Sequence, residues 1–355
     1  MIYNIFLQVG RVHTLVLALL VLLTGCTQDI SSRSFKFIYS VNLESSNGKK
    51  IELWLPIPQS NEVQIISNLS IDSDELSYKI KNEKIYNNKY LYIYSHSGTT
   101  SDKTVTMAFD VKRLEHQNIK YIDVNPSDYL SASSMVPTDG IFTSIIKKNK
   151  LNKNDKRSLY DFVLSGMHYA KPTSTDNKYY KDPWLNASDR YGIKKVSRDK
   201  VLDLYQSSKK TKGTYAFGNG NSLYACDIGV GNCTDYHSYF ISLSRTMDIP
   251  SRFHMGFYIP NGKEGTVEGY HCWADYYVKD KGWYPVDISE ADQDLEKIDY
   301  FFGNVCSNRV AMMIGRDFIL KGYESETTNL FIYPILEVND NNSFAFNKSF
   351  SYKSL

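Results

Sequence analysis

The chain has 355 residues, 42% of them hydrophobic, enough apolar material for a sizeable core, and its length makes two domains the natural expectation. Its 41 basic and 39 acidic residues leave a formal charge of +2 and are interspersed, so composition gives no reason to expect a nucleic-acid partner. The 28 tyrosines alternate along strand-like runs, which marks half-buried sheet rather than a stacking platform.

In chain order, Arg11 precedes the apolar run Leu15 to Leu23, too short to span a bilayer comfortably but of the length of a signal-peptide core. Residues 1–26 are therefore expected to be an export signal, and the polar, Ser-rich residues 27–34 a tether. Alternation then begins. Phe35, Phe37, Tyr39, Val41 and Leu43 share one face, Asn47-Gly48 reads as a hairpin turn, and Ile51, Leu53, Leu55 and Ile57 return on the next strand. With further short strands at Tyr78 to Ile80, Tyr90 to Tyr94 and Thr104 to Val111, residues 35–126 are expected to form a small antiparallel β-sandwich.

From residue 127 the period changes. Ile141, Ile145 and Ile146, then Leu159, Phe162, Val163 and Met167, have helical spacing, with Asn154 or Asp155 available to cap the second helix. Pro137 and Gly140 mark the junction to a second domain, residues 127–355. Within it lies an irregular insertion near 173–213 that includes a short helix near Ser197 to Tyr205. A segment of this length reads either as a lid over a binding site or as a surface excursion.

Gly231-Asn232 then delivers Cys233 to the first position of a run in which Tyr236, Phe240, Leu243 and Met247 recur at helical spacing. At a helix N-terminus the unpaired N–H groups and the macrodipole favour the thiolate. Residues Gly269 to Val278 and Trp283 to Ile288 read as a hairpin. If its loop is centred on Asp280, Trp273 lies opposite Asp287, and His271 and Asp287 become diagonal neighbours on one sheet face, within about 7–8 Å. The helix bearing Cys233 is expected to bring its N-terminus against that face. His237 and Asp235 on the same helix read as a packing residue and a cap, and Arg252 and Asp275 as a buried pair. Trp273 and Trp283 read either as cleft walls or as sheet packing. No calcium loop and no paired C-x-x-C spacing occurs, so no metal or cofactor is expected. A disulfide among Cys226, Cys272 and Cys306 is left undecided.

Gly231-Asn232-Cys233-Thr234-Asp235, Arg252 with Gly256-Phe257, His271-Cys272-Trp273-Ala274-Asp275 and Gly282-Trp283-Tyr284-Pro285-Val286-Asp287 resemble the core motifs of the transglutaminase-like superfamily. Phe217 and Asn221 depart from the tryptophan and aspartate expected at those positions. Leu23-Thr24-Gly25-Cys26 resembles a bacterial lipobox, which implies lipidation of Cys26 and anchoring of the exported chain to a bacterial membrane through that lipid. The superfamily resemblance implies an α+β fold: a papain-like core, with a Cys-bearing helix packed on antiparallel sheet, following the β-sandwich. It also implies Cys233 as nucleophile, His271 as general base and acid, and Asp287 as the group orienting the imidazole. The reaction implied is acyl transfer on a peptide or protein amide through a thioester, leaning to hydrolysis over cross-linking. A non-catalytic binding or scaffolding protein that retains the fold is the alternative.

Overall fold

The computed structural model describes residues 31–169, 213–323 and 327–355, together with residues 199, 203–204 and 206–207. The expected export signal with Cys26, the first part of the tether and most of the 173–213 insertion lie outside the described residues. Residues Ser32–Leu355 cluster as one compact unit.

Six strands come first: β1 (Ser32–Leu43), β2 (Ile51–Ile57), β3 (Gln64–Asp72), β4 (Ser77–Asn82), β5 (Lys89–Ser95) and β6 (Lys103–Leu114). Helices α1 (Ile141–Lys148) and α2 (Lys156–Gly166) follow, the second capped by Asp155, whose side chain accepts from the Ser158 N–H at 3.0 Å. A two-residue strand β7 (His168–Tyr169), α3 (Ser222–Ile228), β8 (Val230–Gly231) and α4 (Cys233–Thr246) lead to β9 (Ser251–Tyr258) and β10 (Glu264–Thr266). The chain closes with β11 (Tyr270–Val278), β12 (Gly282–Val286), α5 (Ile288–Gln293), β13 (Arg309–Ile314), β14 (Ile335–Val338), β15 (Asn341–Ser343) and β16 (Phe346–Ser354).

Among the described residues three antiparallel sheets result, ordered β10-β16-β1-β6-β3, β15-β14-β2-β5-β4 and β12-β11-β9-β13, with β7 and β8 a separate parallel pair. The class is the expected α+β. Alternation has its predicted meaning in β1, where Phe35, Phe37, Tyr39, Val41 and Leu43 are all buried. β2 differs, because all seven of its residues are buried. Trp54 on its second face packs at 5.5 Å from both Tyr92 and Tyr323. β3 escaped the sequence reading: most of its residues face solvent, so it shows no apolar period.

Two expectations are corrected. Asn47-Gly48 is a turn, with φ of 52° and 76°, but β1 and β2 do not pair across it. β1 bonds to β6 and β16, while β2 bonds to β5 and β14, so the turn hands the chain from one sheet to the other. Alternation fixes which face is buried, and turn chemistry fixes the reversal; neither names the neighbouring strand. The second correction concerns the chain end. β14 and β16 lie beside β2 and β1, so strands placed by sequence in the 127–355 domain complete the sheets that begin near residue 35. The four-stranded sheet is joined to this layer by Phe257 of β9, whose ring lies 5.1 Å from Phe37 and 4.6 Å from Phe350.

α4 is the buried axis of the molecule. Every residue from Cys233 to Arg245 is buried, as expected of a helix enclosed on all sides rather than amphipathic at a surface. It lies on the face of the four-stranded sheet formed by Cys272 and Tyr276: Thr234 Oγ1 is 3.7 Å from Cys272 Sγ, and the Phe240 and Tyr276 rings are 6.2 Å apart.

Candidate active site

The start of α4 is fixed by a reciprocal cap. Asn232 is extended (φ −105°, ψ −172°), its side chain accepts from the Thr234 N–H at 2.9 Å, and the Asp235 carboxylate accepts from the Asn232 N–H at 3.1 Å. Cys233 is thereby the first helical residue. Gly231 is glycine because a Cβ there would stand 2.5 Å from the Asp235 Cβ. Asp235 also accepts from the N–H groups of Gly218 (2.8 Å) and Gly220 (3.0 Å), tying that loop to the helix start. Burial pushes this carboxyl up to about 7 against the pull of its three N–H donors. Arg316 closes the arrangement, donating to Ser238 Oγ at 2.6 Å and to the carbonyls of Asn219 and Gly220. Asn221, where an aspartate was expected, caps α3 by accepting from the Leu223 and Tyr224 N–H groups. Asn232→Ala is expected to lower stability by about 1 kcal/mol, the worth of an N-cap. Urea midpoints at unchanged m-value check it, and an unmoved midpoint means the cap holds nothing.

The hairpin has the predicted register, with Val278 opposite Gly282 and Tyr276 opposite Tyr284 about a loop centred on Asp280. Pairing ends at Ala274 and Val286, one step before Trp273 would meet Asp287. There the chain leaves the sheet to begin α5, with Asp287 as its N-cap. β11 thus runs past its partner, and His271 sits on the unpaired stretch. This explains a difference from the sequence reading. α4 packs on the face opposite the His271 side chain, yet Cys233 reaches the imidazole where β12 has peeled away.

His271 Nε2 donates to Asp287 Oδ2 at 2.7 Å, and both side chains are nearly or wholly buried. Burial pushes the imidazole down, but Asp287 overrides it and raises it to about 10. Cys233 is held well below the ordinary thiol range, first by a hydrogen bond from the Cys272 thiol and then by a hydrogen bond from His271, together outweighing burial. Asp287 is also buried, but His271 and Arg309 hold it far below the usual carboxylate range. The three side chains proposed from sequence are therefore brought together as a thiolate, an imidazolium and a carboxylate in series.

The neighbours divide cleanly. His237 does not act on the sulfur: its Nδ1 donates to the Cys233 carbonyl at 2.7 Å and its Nε2 accepts from the Ile288 N–H at 3.1 Å, joining α4 to α5, and burial lowers it to about 4. The Arg252–Asp275 pair is present and wholly buried. Trp273 is fully buried, stacked at 5.6 Å on His254, and Trp283 is buried over the Arg252 guanidinium, so both are packing residues. Cys226, Cys233, Cys272 and Cys306 are free thiols, without a disulfide among them. Sequence reasoning missed Arg309, fully buried with its Nη2 2.8 Å from Asp287 Oδ2. No local motif marks it.

A thiolate at a helix start, an imidazole on a neighbouring strand and a carboxylate behind it define the papain-like class of cysteine site. Residues 186–288 match the model of the transglutaminase-like superfamily. A Haemophilus influenzae protein of uncharacterized function is 23% identical over 375 residues, spanning 91% of this chain and 90% of that one. A candidate cysteine protease from Cytophaga hutchinsonii has the same fold, with a TM-score of 0.54 at 12% identity over 92% of this chain and 91% of that one. The periplasmic domain of TgpA from Pseudomonas aeruginosa aligns more loosely, with a TM-score of 0.32 at 11% identity over 75% of this chain and 90% of that one.

Proposed function

We propose that the chain is a cysteine-dependent acyl-transfer enzyme acting on peptide or protein amides, with water as the preferred acceptor. The observation that carries this reading is the continuous relay from the Cys233 sulfur through His271 to Asp287 at 2.7 Å, built on a capped helix start. The thiolate attacks the amide carbonyl, and the displaced electron pair goes to oxygen, beside the Cys233 N–H, one of the orphan donors of a first helical turn. His271 gives its proton to the departing amine as the C–N bond breaks, leaving a thioester. Water then attacks, His271 takes its proton, and the carboxylic acid is released with the thiolate restored.

The test is the rate of Cys233 alkylation by iodoacetamide against pH. A fast reaction well below the ordinary thiol range, abolished in His271→Ala, is expected; a slow thiol indifferent to His271 would overturn the reading and favour the scaffolding alternative. Peptides released and products cross-linked by wild type but not by Cys233→Ala then distinguish water from amine as acceptor.

A further inference from the structure

We propose that Arg309 is a positioning residue of this site: by sharing Asp287 Oδ2 with the imidazole it fixes the carboxylate and opposes the imidazolium charge, so that His271 can hand its proton on. The inference rests on the acyl-transfer reading.

The geometry is specific. Asp287 Oδ1 is already occupied by the Ser289 hydroxyl at 2.9 Å and the Glu290 N–H at 3.1 Å. Oδ2 meets both His271 Nε2 at 2.7 Å and Arg309 Nη2 at 2.8 Å. Arg309 itself cannot swing away. It opens β13 opposite Tyr258, and its guanidinium carbon lies 5.4 Å from the Trp273 ring centre and 5.7 Å from that of Tyr258. A buried guanidinium between two aromatic faces is pinned, and it stays charged at any pH at which the protein folds.

A carboxylate alone behind a buried imidazolium holds the proton too well, because the pair gains from staying charged. A general acid works best when its proton affinity lies near the working pH. A second cation on the same oxygen takes up part of the carboxylate's field and lowers the reward for keeping His271 protonated. The other groups around the imidazole do not supply this. Cys233 is anionic, and Glu290 Oε1, 3.9 Å from Nε2, also favours the cation. His237 is neutral, and Cys272 and Tyr270, on the histidine's own strand, remain protonated. Facing Arg309, besides Asp287, are Glu290, Cys306 and the like-charged Arg113.

The test is the alkaline step of the Cys233 alkylation profile, where the imidazolium gives up its proton. In Arg309→Met this step is expected to move up by about one pH unit, a tenfold gain in proton affinity. Arg309→Lys, which keeps the charge, is expected to leave it within half that distance. A purely structural arginine would lower the melting temperature in both variants and move the step in neither, and equal shifts in both would show that charge is not the cause; either result overturns the proposal. Should Arg309→Met not fold, Arg309→Gln takes the same test. A wild-type profile lacking any His271-dependent step counts against the acyl-transfer reading instead, so the two failures are told apart.

Discussion

Asp287→Ala is expected to lose both the fast alkylation of Cys233 and much of the stability of the fold. The carboxylate is wholly buried and serves four partners: His271, Arg309, the Ser289 hydroxyl and the first turn of α5. Truncation strands the Arg309 charge in the interior, and breaking a buried pair by removing one member costs about 3–5 kcal/mol. Chemically, the imidazole loses the acceptor that fixes which ring nitrogen carries the proton, and general acid–base assistance of this kind is worth on the order of 10²- to 10⁴-fold in rate. Asp287→Asn separates the two effects. Its amide retains an oxygen for the α5 cap but no charge, so stability is expected to recover in part while rapid alkylation of Cys233 does not. Urea denaturation and the alkylation rate, measured on the same preparations, check this. A fast thiol in Asp287→Asn would mean that the carboxylate does not orient His271.

Local chemistry was legible where one residue's neighbours in sequence are also its neighbours in space. The capping role of Asp235, the helix from Cys233 and the register of the β11–β12 hairpin all depend on contacts within about one turn or one hairpin, and each stands as read. Long-range pairing was not legible. Nothing in Ile51 to Ile57 says that β14 rather than β1 lies alongside, and the apolar period is the same in either arrangement. Arg309 was missed for the same reason. It opens a strand after an irregular segment and gains its meaning only when β13 aligns with β9 and brings it beneath Asp287. That alignment depends on Gly256, opposite both His271 and Ala311, where a Cβ would stand 1.9 Å from the Val310 carbonyl oxygen. In the sequence Gly256 is visible as a glycine in a strand, a sign of close backbone approach, though not of what approaches.

Asp275→Ala is expected to destabilise the fold by a comparable amount, about 3–5 kcal/mol, and to do so without touching the chemistry. Asp275 stands directly across from Arg252 and grips its guanidinium through both oxygens, while His254 Nε2 lies 3.0 Å from Oδ2. Burial disfavours both charges, but each holds the other ionised, with Asp275 far below the usual carboxylate range. Arg252 also lies 4.3 Å from the Tyr121 ring centre and 4.1 Å from that of Trp283. Those aromatic faces remain after truncation, but cation–π contacts worth about 2 kcal/mol do not replace a lost counter-ion in the interior. The double variant Arg252→Met with Asp275→Leu is therefore expected to be more stable than Asp275→Ala, since neither charge is then left unpaired. A double-mutant cycle by urea denaturation measures the coupling, and a single-variant loss under 1 kcal/mol would show that the pair is solvated and weak. The pair shares a sheet face with His271, but Trp273 separates them along β11, and neither Asp275 nor Arg252 approaches the sulfur. The pH profile of Cys233 alkylation in folded Asp275→Ala is thus expected to match that of wild type. Asp287 differs in this respect: at that position the same type of buried ion pair also carries the proton relay, and stability and reactivity fall together.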